Sequence, residues 1–190
     1  MKHILHQIKG CAICKPYLIH GVNPVVEASE SSRIVVIGQA PGRRVHDTGV
    51  AWNDPSGDRL RDWLGVDRET FYDPDLFALM PMGFCYPGTG KSGDLPPRKE
   101  CAAKWHQTLL GAMPKVELTL LIGNYAQKYY LPDSPYNTLT ERVSHFRDFI
   151  PETFVLPHPS PRNNIWMKKN PRFTRELLPV LQETIQNIIP

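Results

Sequence analysis

A run of β-branched residues that ends in a glycine-rich turn constrains the fold of this chain more than any other feature. Residues Ile34–Ile37 are all apolar, and residues 38–42 read Gly-Gln-Ala-Pro-Gly. A continuous apolar strand is typical of a parallel sheet that helices cover on both faces. Because ligands bind at the carboxyl ends of strands in such sheets, we expect residues 38–42 to line a binding site. A plain tight turn would leave the same signature.

Strands and helices are predicted to alternate along the rest of the chain. Further strands are predicted at residues 76–82, 118–122 and 154–156, and helices at residues 56–64, 98–113, 124–130, 139–149 and 173–188. This alternation indicates parallel βαβ units. We therefore predict an α/β fold, a three-layer α/β/α sandwich around a mostly parallel sheet of four strands. Residues 1–190 are expected to form a single domain, with residues 1–32 as an irregular, cysteine-bearing segment packed on it.

Composition and charge narrow the function only slightly. The 190 residues are 41% hydrophobic and 22% charged, with a net charge of +3, which permits an anionic partner without demanding one. Residues 158–175 contain five cations and no acidic residue. No stretch approaches the roughly 20 apolar residues of a membrane span, and the N-terminus lacks the apolar core of a secretory signal. We therefore expect a cytoplasmic protein, without a membrane partner, and most simply a monomer.

A second distinctive loop follows the last predicted strand. Residues 158–164 read His-Pro-Ser-Pro-Arg-Asn-Asn, and the prolines stiffen the loop. A histidine at a strand end can donate a hydrogen bond to a developing negative charge, although a structural loop histidine would leave the same pattern. If the strands that precede Gln39 and His158 are neighbours, these two side chains lie in one cleft.

The four cysteines fall into two pairs. Cys11 and Cys14 have CxxC spacing, and Cys85 and Cys101 flank a loop rich in Gly, Pro and Lys. In a reducing compartment, thiols or metal ligands are more common than disulfides. Four cysteines can hold zinc or an iron–sulfur cluster, and the wide second spacing favours the cluster. A redox or zinc role for the CxxC pair alone and four unrelated buried thiols are the alternatives.

These motifs together resemble the uracil-DNA glycosylase superfamily, and most closely its iron–sulfur branch, family 4. In that branch a CxxC pair precedes a strand that ends in a Gly-[Glu/Gln]-Ala-Pro-Gly turn. A Thr-Gly-x-x-aromatic segment follows, matched here by residues 48–52, and then two more cysteines and a His-Pro motif. The order agrees from Cys11 to His158. The HPSPRN form of the last motif is more similar to the single-strand-selective uracil glycosylases of the same superfamily.

The resemblance implies a DNA repair enzyme that hydrolyses the N-glycosidic bond of uracil or a related deaminated base, after the base leaves the helix stack. It implies that His158 stabilises the charge on the departing base. The base-binding residues it implies are Gly38, Gln39, Ala40, Trp52 and Met82. The DNA-binding residues are Ser160, Pro161, Arg162, Asn163, Lys168 and Lys169. A structural [4Fe–4S] cluster would be held by Cys11, Cys14, Cys85 and Cys101.

Departures from the family pattern leave the water-activating group open. Ala40 stands where many superfamily members carry an Asp, and Asp47 is the only acidic residue in the segment 43–47. We therefore expect the attacking water to be oriented by the backbone together with Gln39, His46 or Asp47.

A further departure concerns specificity. Pro81 and Met82 stand where the family 4 branch often has an Asn that distinguishes uracil from cytosine, and a buried polar reader is what rejects the wrong base. The alternative hypothesis is therefore a catalytically altered or inactive member that binds nucleic acid or a nucleobase without cleaving it.

Overall fold

A computed structural model of the chain describes residues 1–91 and 93–189. The strands are β1 (Ile34–Ile37), β2 (Phe77–Leu79), β3 (Thr89–Gly90), β4 (Gly93–Asp94), β5 (Leu118–Ile122) and β6 (Thr153–Leu156). Four of them form a parallel sheet in the order β2-β1-β5-β6, and β3 and β4 form a separate antiparallel hairpin. The predicted α/β fold with a four-stranded parallel sheet is confirmed.

Strand β1 forms the centre of the core. Ile34 is aligned with Phe77 of β2 on one side and with Leu118 of β5 on the other. All four residues of β1 are 0% exposed. A strand with a neighbour at each edge and helices on each face must be apolar throughout, which explains the unbroken run of Ile and Val.

Helices cover both faces of the sheet. They are α1 (Lys2–Lys9), α2 (Arg43–Thr48), α3 (Pro55–Leu64), α4 (Arg68–Phe71), α5 (Lys99–Cys101), α6 (Gln107–Gly111), α7 (Asn124–Tyr130), α8 (Leu139–Ser144), α9 (Asn164–Lys169) and α10 (Leu178–Ile188). A π-helical turn over Ala102–His106 joins α5 to α6, and a second one over Phe173–Leu177 leads into α10. Within residues 1–91 and 93–189, none of the helices has the length and apolar character needed to cross a membrane.

The N-terminal segment is more ordered than expected. Residues 2–9 form helix α1, and Ile8 is fully buried in the main core. Further along, the backbone of Glu27 exchanges two hydrogen bonds with Leu79, which extends the β2 edge of the sheet. The prediction of an irregular segment was wrong for α1, whose apolar residues Ile4, Leu5 and Ile8 stand at helical spacing and pack on the core.

Helix α3 begins at Pro55, one residue before the predicted start at residue 56. Asp54 is its N-cap, since the Asp54 carboxylate accepts a hydrogen bond from the Gly57 amide at 2.8 Å. Pro55 occupies the first helical position, where its missing N–H costs nothing. Placement of the cap at Asp54 matters because this carboxylate also lines the cleft described below.

Candidate functional site

A cleft of about 430 Å³ opens at the carboxyl ends of β1 and β6. Residues 38–42 form one wall, and His158, Ser160, Arg162 and Asn163 form another. The remaining lining residues come from other segments of the chain, and they are Val25, Val45, Ala51, Trp52, Asp54, Ser56, Pro81, Gly93 and Asp94. The two loops singled out in the sequence therefore meet in one cavity.

The two strands that carry these loops are not neighbours, contrary to the condition set from the sequence. Strand β5 lies between β1 and β6. It is followed directly by Gly123, which has a φ of 82°. A Cβ at Gly123 would lie 3.9 Å from the Cβ of His158. That distance is an ordinary contact, so the His158 side chain reaches the cleft that the β1 turn lines by passing the end of the intervening strand.

The turn after β1 is held by the backbone beyond β2. The Met82 amide donates to the Gly38 carbonyl at 2.9 Å, and the Gly83 amide donates to the Gln39 carbonyl at 3.0 Å. The Gln39 side chain reaches the other way and donates to the Leu95 carbonyl at 3.5 Å. The turn is therefore fixed on both sides, as a preformed binding surface requires.

Trp52 packs tightly against this turn. It is the only residue other than glycine with a positive φ (55°) in the described part of the chain, a conformation that costs on the order of 1 kcal/mol or more. A Cβ at Gly38 would lie 2.7 Å from Trp52 Cζ2, and a Cβ at Gly57 would overlap the Trp52 carbonyl. The Trp52 and His158 rings lie 5.8 Å apart at a 32° angle. The strained backbone thus holds an aromatic ring in the cleft beside the histidine.

His158 is poised as a neutral hydrogen-bond donor. The Ser160 amide donates to its Nδ1 at 3.2 Å, which leaves the proton of the neutral ring on Nε2. Burial lowers the pKa of His158 below its usual value, although the nearby Asp54 and Asp94 carboxylates act in the opposite direction. The net direction favours the neutral ring at neutral pH.

A buried polar network fixes the strand that carries His158. The Gln127 amide donates to the carbonyls of Leu121 at 3.2 Å and Leu156 at 2.9 Å, at the ends of β5 and β6. The buried Arg142 guanidinium donates to Gln127 Oε1 at 3.0 Å. Leu156 is the last residue of β6, so the network positions the backbone immediately before His158.

The loop after His158 is braced from two sides. Asn163 Nδ2 donates to the His158 carbonyl at 2.7 Å. From helix α3, Arg59 donates to the Ser160 carbonyl at 3.3 Å and to Asn164 Oδ1 at 2.8 Å. Part of the Asn163 amide, predicted to contact DNA, is thus used to hold the histidine loop. Arg59 has no counterpart in the sequence prediction, since a helical arginine gives no sign in the sequence of its tertiary partner.

The structure places the predicted acidic residue away from the cleft. Asp47 lies on α2 and forms an exposed ion pair with Arg43 at 3.0 Å. Two other carboxylates, Asp54 and Asp94, line the cleft. Asp54 was missed because it was taken for part of a loop, although Pro55 directly after it is a typical signal of an N-cap. Asp94 lies in a two-residue strand, which no periodicity could reveal.

The remaining predicted contacts are divided between the cleft and its surroundings. Pro81 lines the cleft, whereas Met82 is 6% exposed and belongs to the main core. Lys168 and Lys169 are exposed at the end of α9. Ile165, at the start of the same helix, is 68% exposed. The side chain of Arg162 lies against Gly93 of the hairpin across the cleft.

The four cysteines line one small pocket on the other side of residues 81–85. Its walls are otherwise mostly apolar, and they include Ile8, Leu18, Phe84, Arg98 and Trp105. Burial raises the pKa of Cys85 to about 11 and that of Cys101 to about 12. All four are free thiols. Within the described residues, no group of three or more Cys, His, Asp or Glu side chains is placed to hold a single metal ion.

The fold and cleft define an α/β protein with a ligand site at the carboxyl edge of a parallel sheet. A family model for the uracil DNA glycosylase superfamily matches residues 25–182, so the chain belongs to that superfamily. The chain is also similar to the solution NMR structure of a proposed uracil DNA glycosylase from Methanosarcina acetivorans, with 19% identity over 83% of this chain and 93% of that chain and a TM-score of 0.47. The superfamily resemblance is confirmed, and it supports a glycosylase type of function on DNA. Cys11 and Cys14 lie outside the matched residues.

Proposed function

We propose that this protein hydrolyses the N-glycosidic bond of uracil or a related deaminated base in DNA. The observation that carries the proposal is the meeting of the β1 turn, the Trp52 ring and a neutral His158 in one cleft. Departure of the base places negative charge on its oxygens, and a fixed N–H donor in a partly dry site stabilises such charge by several kcal/mol. A neutral imidazole suits this role because it needs no proton loss or gain.

The other cleft residues supply binding and orientation in this proposal. The Trp52 ring offers a stacking surface for a base that has left the helix, and base–aromatic stacking is worth about 1–3 kcal/mol. The turn at residues 38–42 holds the base edge. Outside the cleft, Lys168 and Lys169 contact phosphates, which adds salt-sensitive affinity without sequence information.

Asp54 is the carboxylate that orients the attacking water in this proposal, in place of Asp47. Its Oδ1 accepts the Gly57 amide, which fixes the side chain at the N-terminus of α3. The same side chain lines the cleft and lies close enough to His158 to influence its pKa. A fixed carboxylate beside the site also stabilises the positive charge that develops on the sugar. Asp94 shares the cleft but is exposed on its hairpin.

The cysteine pocket fits a [4Fe–4S] cluster better than zinc. A cluster binds each thiolate at a different iron atom, so its ligands are spread more widely than the four ligands of a tetrahedral zinc ion. The apolar walls suit a cluster shielded from water, and the guanidinium of Arg98 offers a buried donor. When bound, the cluster would tie the N-terminal segment to residues 85 and 101, and it has no part in the hydrolysis. These features of the pocket support the proposal that the chain belongs to the family 4 branch.

The second candidate function is binding without cleavage. It is favoured by the wall at Pro81, which has no N–H and whose carbonyl accepts a hydrogen bond from His106 Nε2 at 3.1 Å. This wall therefore presents no obvious reader for the base, and a site without one discriminates poorly. The candidate predicts affinity for DNA or a free base and no product.

A panel of oligonucleotides separates the two functions. Single- and double-stranded DNA containing uracil, hypoxanthine or xanthine is incubated with the protein and then treated with alkali, which breaks the strand at each abasic site. We expect strand breaks at the damaged base and none in the matched undamaged strand. Binding without breaks on every substrate would establish the second candidate and contradict the first.

A further inference from the structure

Arg98 is the polar side chain of the cysteine pocket, and one of its donors has no acceptor. The residue lines the pocket together with the four cysteines. Its Nε is buried and without a hydrogen-bond partner. An unsatisfied buried donor destabilises the fold, so it calls for an explanation, such as a ligand or an ion that belongs beside it.

The rest of the guanidinium is held in place by protein groups. Nη2 pairs with Glu100 Oε1, and the guanidinium lies close enough to the Cys14 thiol to lower its pKa against the effect of burial. The central carbon of the guanidinium lies 4.3 Å from the centre of the Tyr17 ring, a cation–π distance. Glu100 and Tyr17 therefore fix the position of a cation beside at least one of the proposed ligand sulfurs.

The charge of the proposed cofactor gives this cation a role. Four thiolates around a [4Fe–4S] core make a buried anion, and buried charge requires a compensating partner. Hydrogen bonds to the sulfurs and nearby charge are the main factors by which a protein sets the reduction potential of such a cluster. Arginine suits this position because it stays protonated and offers five donors in a rigid plane.

We propose that Arg98 donates hydrogen bonds to the sulfur atoms of the cluster through Nε and the other N–H groups of its guanidinium. Arg98 thereby raises the reduction potential of the cluster and protects the cluster from oxygen. The inference rests on the proposed cluster. It assigns Arg98 as a positioning and tuning residue, with no contact to the DNA substrate and no part in hydrolysis.

Glu100 allows the direction of the shift in the reduction potential to be tested. Its Oε2 is also buried without a partner, so a simple rotation could join the two orphan atoms in an ordinary bidentate ion pair. If Arg98 serves only that ion pair, removing either partner should disturb the pocket in the same direction. If Arg98 serves the cluster, Arg98→Gln removes a positive charge and Glu100→Gln removes a negative one, and the potentials shift in opposite directions.

The experiment compares the full-length parent with Arg98→Gln, Arg98→Lys, Glu100→Gln and Lys99→Gln, all purified without oxygen. Iron and sulfide content, the midpoint potential by voltammetry and the half-life of the visible absorption in air are measured. We expect a more negative potential and a several-fold shorter half-life for Arg98→Gln, a less negative potential for Glu100→Gln, and parental values for the exposed neighbour Lys99→Gln. Arg98→Lys keeps the charge without the planar donors and should fall between Arg98→Gln and the parent.

The outcomes separate this inference from the cluster itself. A parent protein that contains iron and sulfide, with potentials that move together or not at all in the Arg98 and Glu100 variants, overturns the role of Arg98 alone. A parent that takes up no iron, even after reconstitution, overturns the cluster and this inference together. If Arg98→Gln does not fold, as judged by circular dichroism, the opposite shifts of Arg98→Lys and Glu100→Gln make the same test.

Discussion

The cleft and the cysteine pocket lie on opposite sides of one stretch of chain and have opposite characters. Pro81 lines the cleft, and Phe84 and Cys85 line the pocket only a few residues later. The cleft is open and carries charged and hydrogen-bonding groups, whereas the pocket is small and mostly apolar. The two sites thus share a wall but offer different chemistry, since the cleft suits a polar ligand and the pocket suits the cluster proposed above.

Residues 81–85 form the shared wall and make hydrogen bonds on both of its sides. On the cleft side, the Met82 amide donates to the Gly38 carbonyl at 2.9 Å. On the pocket side, the Phe84 amide donates to Cys101 Sγ at 3.5 Å. We therefore expect a substitution in the pocket to weaken activity by shifting residues 81–85, which border the cleft. A substitution of a side chain that only lines the cleft should leave the pocket unchanged.

The largest effect is expected from His158→Ala. Loss of one preorganised donor to a developing anion typically lowers the rate by about 100- to 1,000-fold, and we expect that loss in single-turnover cleavage of the best damaged oligonucleotide. Affinity for the same DNA, measured by fluorescence anisotropy, should change far less. Iron content and thermal midpoint should match the parent, because His158 does not contact the pocket. Parental cleavage by this variant would remove His158 from the mechanism.

The reverse experiment is Cys101→Ser. Loss of one thiolate from the proposed cluster should abolish the visible absorption and lower the thermal midpoint by roughly 5 °C or more, since metal binding is coupled to folding. Cleavage should fall less than in His158→Ala, because the catalytic groups remain and only the support of residues 81–85 is weakened. A colourless variant with parental stability would show that the occupant of the pocket does not hold the fold.

His106 connects the two regions and predicts a pH effect on stability. It lies on the π-helical turn after Cys101. Its Nε2 donates to the Pro81 carbonyl at 3.1 Å, and its Nδ1 accepts from the Tyr130 hydroxyl at 2.7 Å. Burial lowers the pKa of His106 from 6.5 to about 4. The unfolded chain therefore binds a proton that the folded protein does not, so stability is full above pH 6.5 and declines as the pH falls toward 4.

The expected size of this decline is on the order of 3 kcal/mol for His106 alone. Urea titrations at pH values from 7 to 4 measure it, and His106→Gln should flatten the curve because glutamine does not titrate. His158 acts in the same direction, since burial also lowers its pKa, so part of the slope should remain. Parallel curves for the parent and the variant would mean that His106 does not titrate as its burial implies.

The sequence predicted best where apolar runs end at a glycine. Strand β5 was predicted with the bounds that the structure has, and so was β1, because each is a buried run with a glycine directly after it. Helix α2 was missed, since it buries only Val45 and follows a turn. The cleft itself was predicted from two loops, although the reason given, neighbouring strands, was wrong.

The sequence could not reveal which acidic residue enters the cleft. Asp47 and Asp54 both follow the β1 turn, and spacing alone favours neither. The choice depends on the direction of the chain after Trp52, where a positive φ turns the backbone and Gly57 packs against the Trp52 carbonyl. Such a three-dimensional bend leaves no periodic pattern. The residue that faces the cleft after β2 is equally hard to predict, because a shift of one residue decides whether Pro81 or Met82 does so.

The smallest effect is expected from Asp47→Asn, and it sharpens the comparison within the cleft. Asp47 is 53% exposed in its ion pair with Arg43, and exposed pairs contribute little to stability. Cleavage by Asp47→Asn should stay within about twofold of the parent, whereas Asp54→Asn should lose roughly tenfold or more while DNA affinity is kept. Because asparagine can still cap α3, a loss in Asp54→Asn would reflect the carboxylate charge and not an unfolded helix. If Asp47→Asn lost more cleavage activity than Asp54→Asn, the water-orienting role would belong to Asp47. Helix α2 would then have to move toward the cleft when DNA binds.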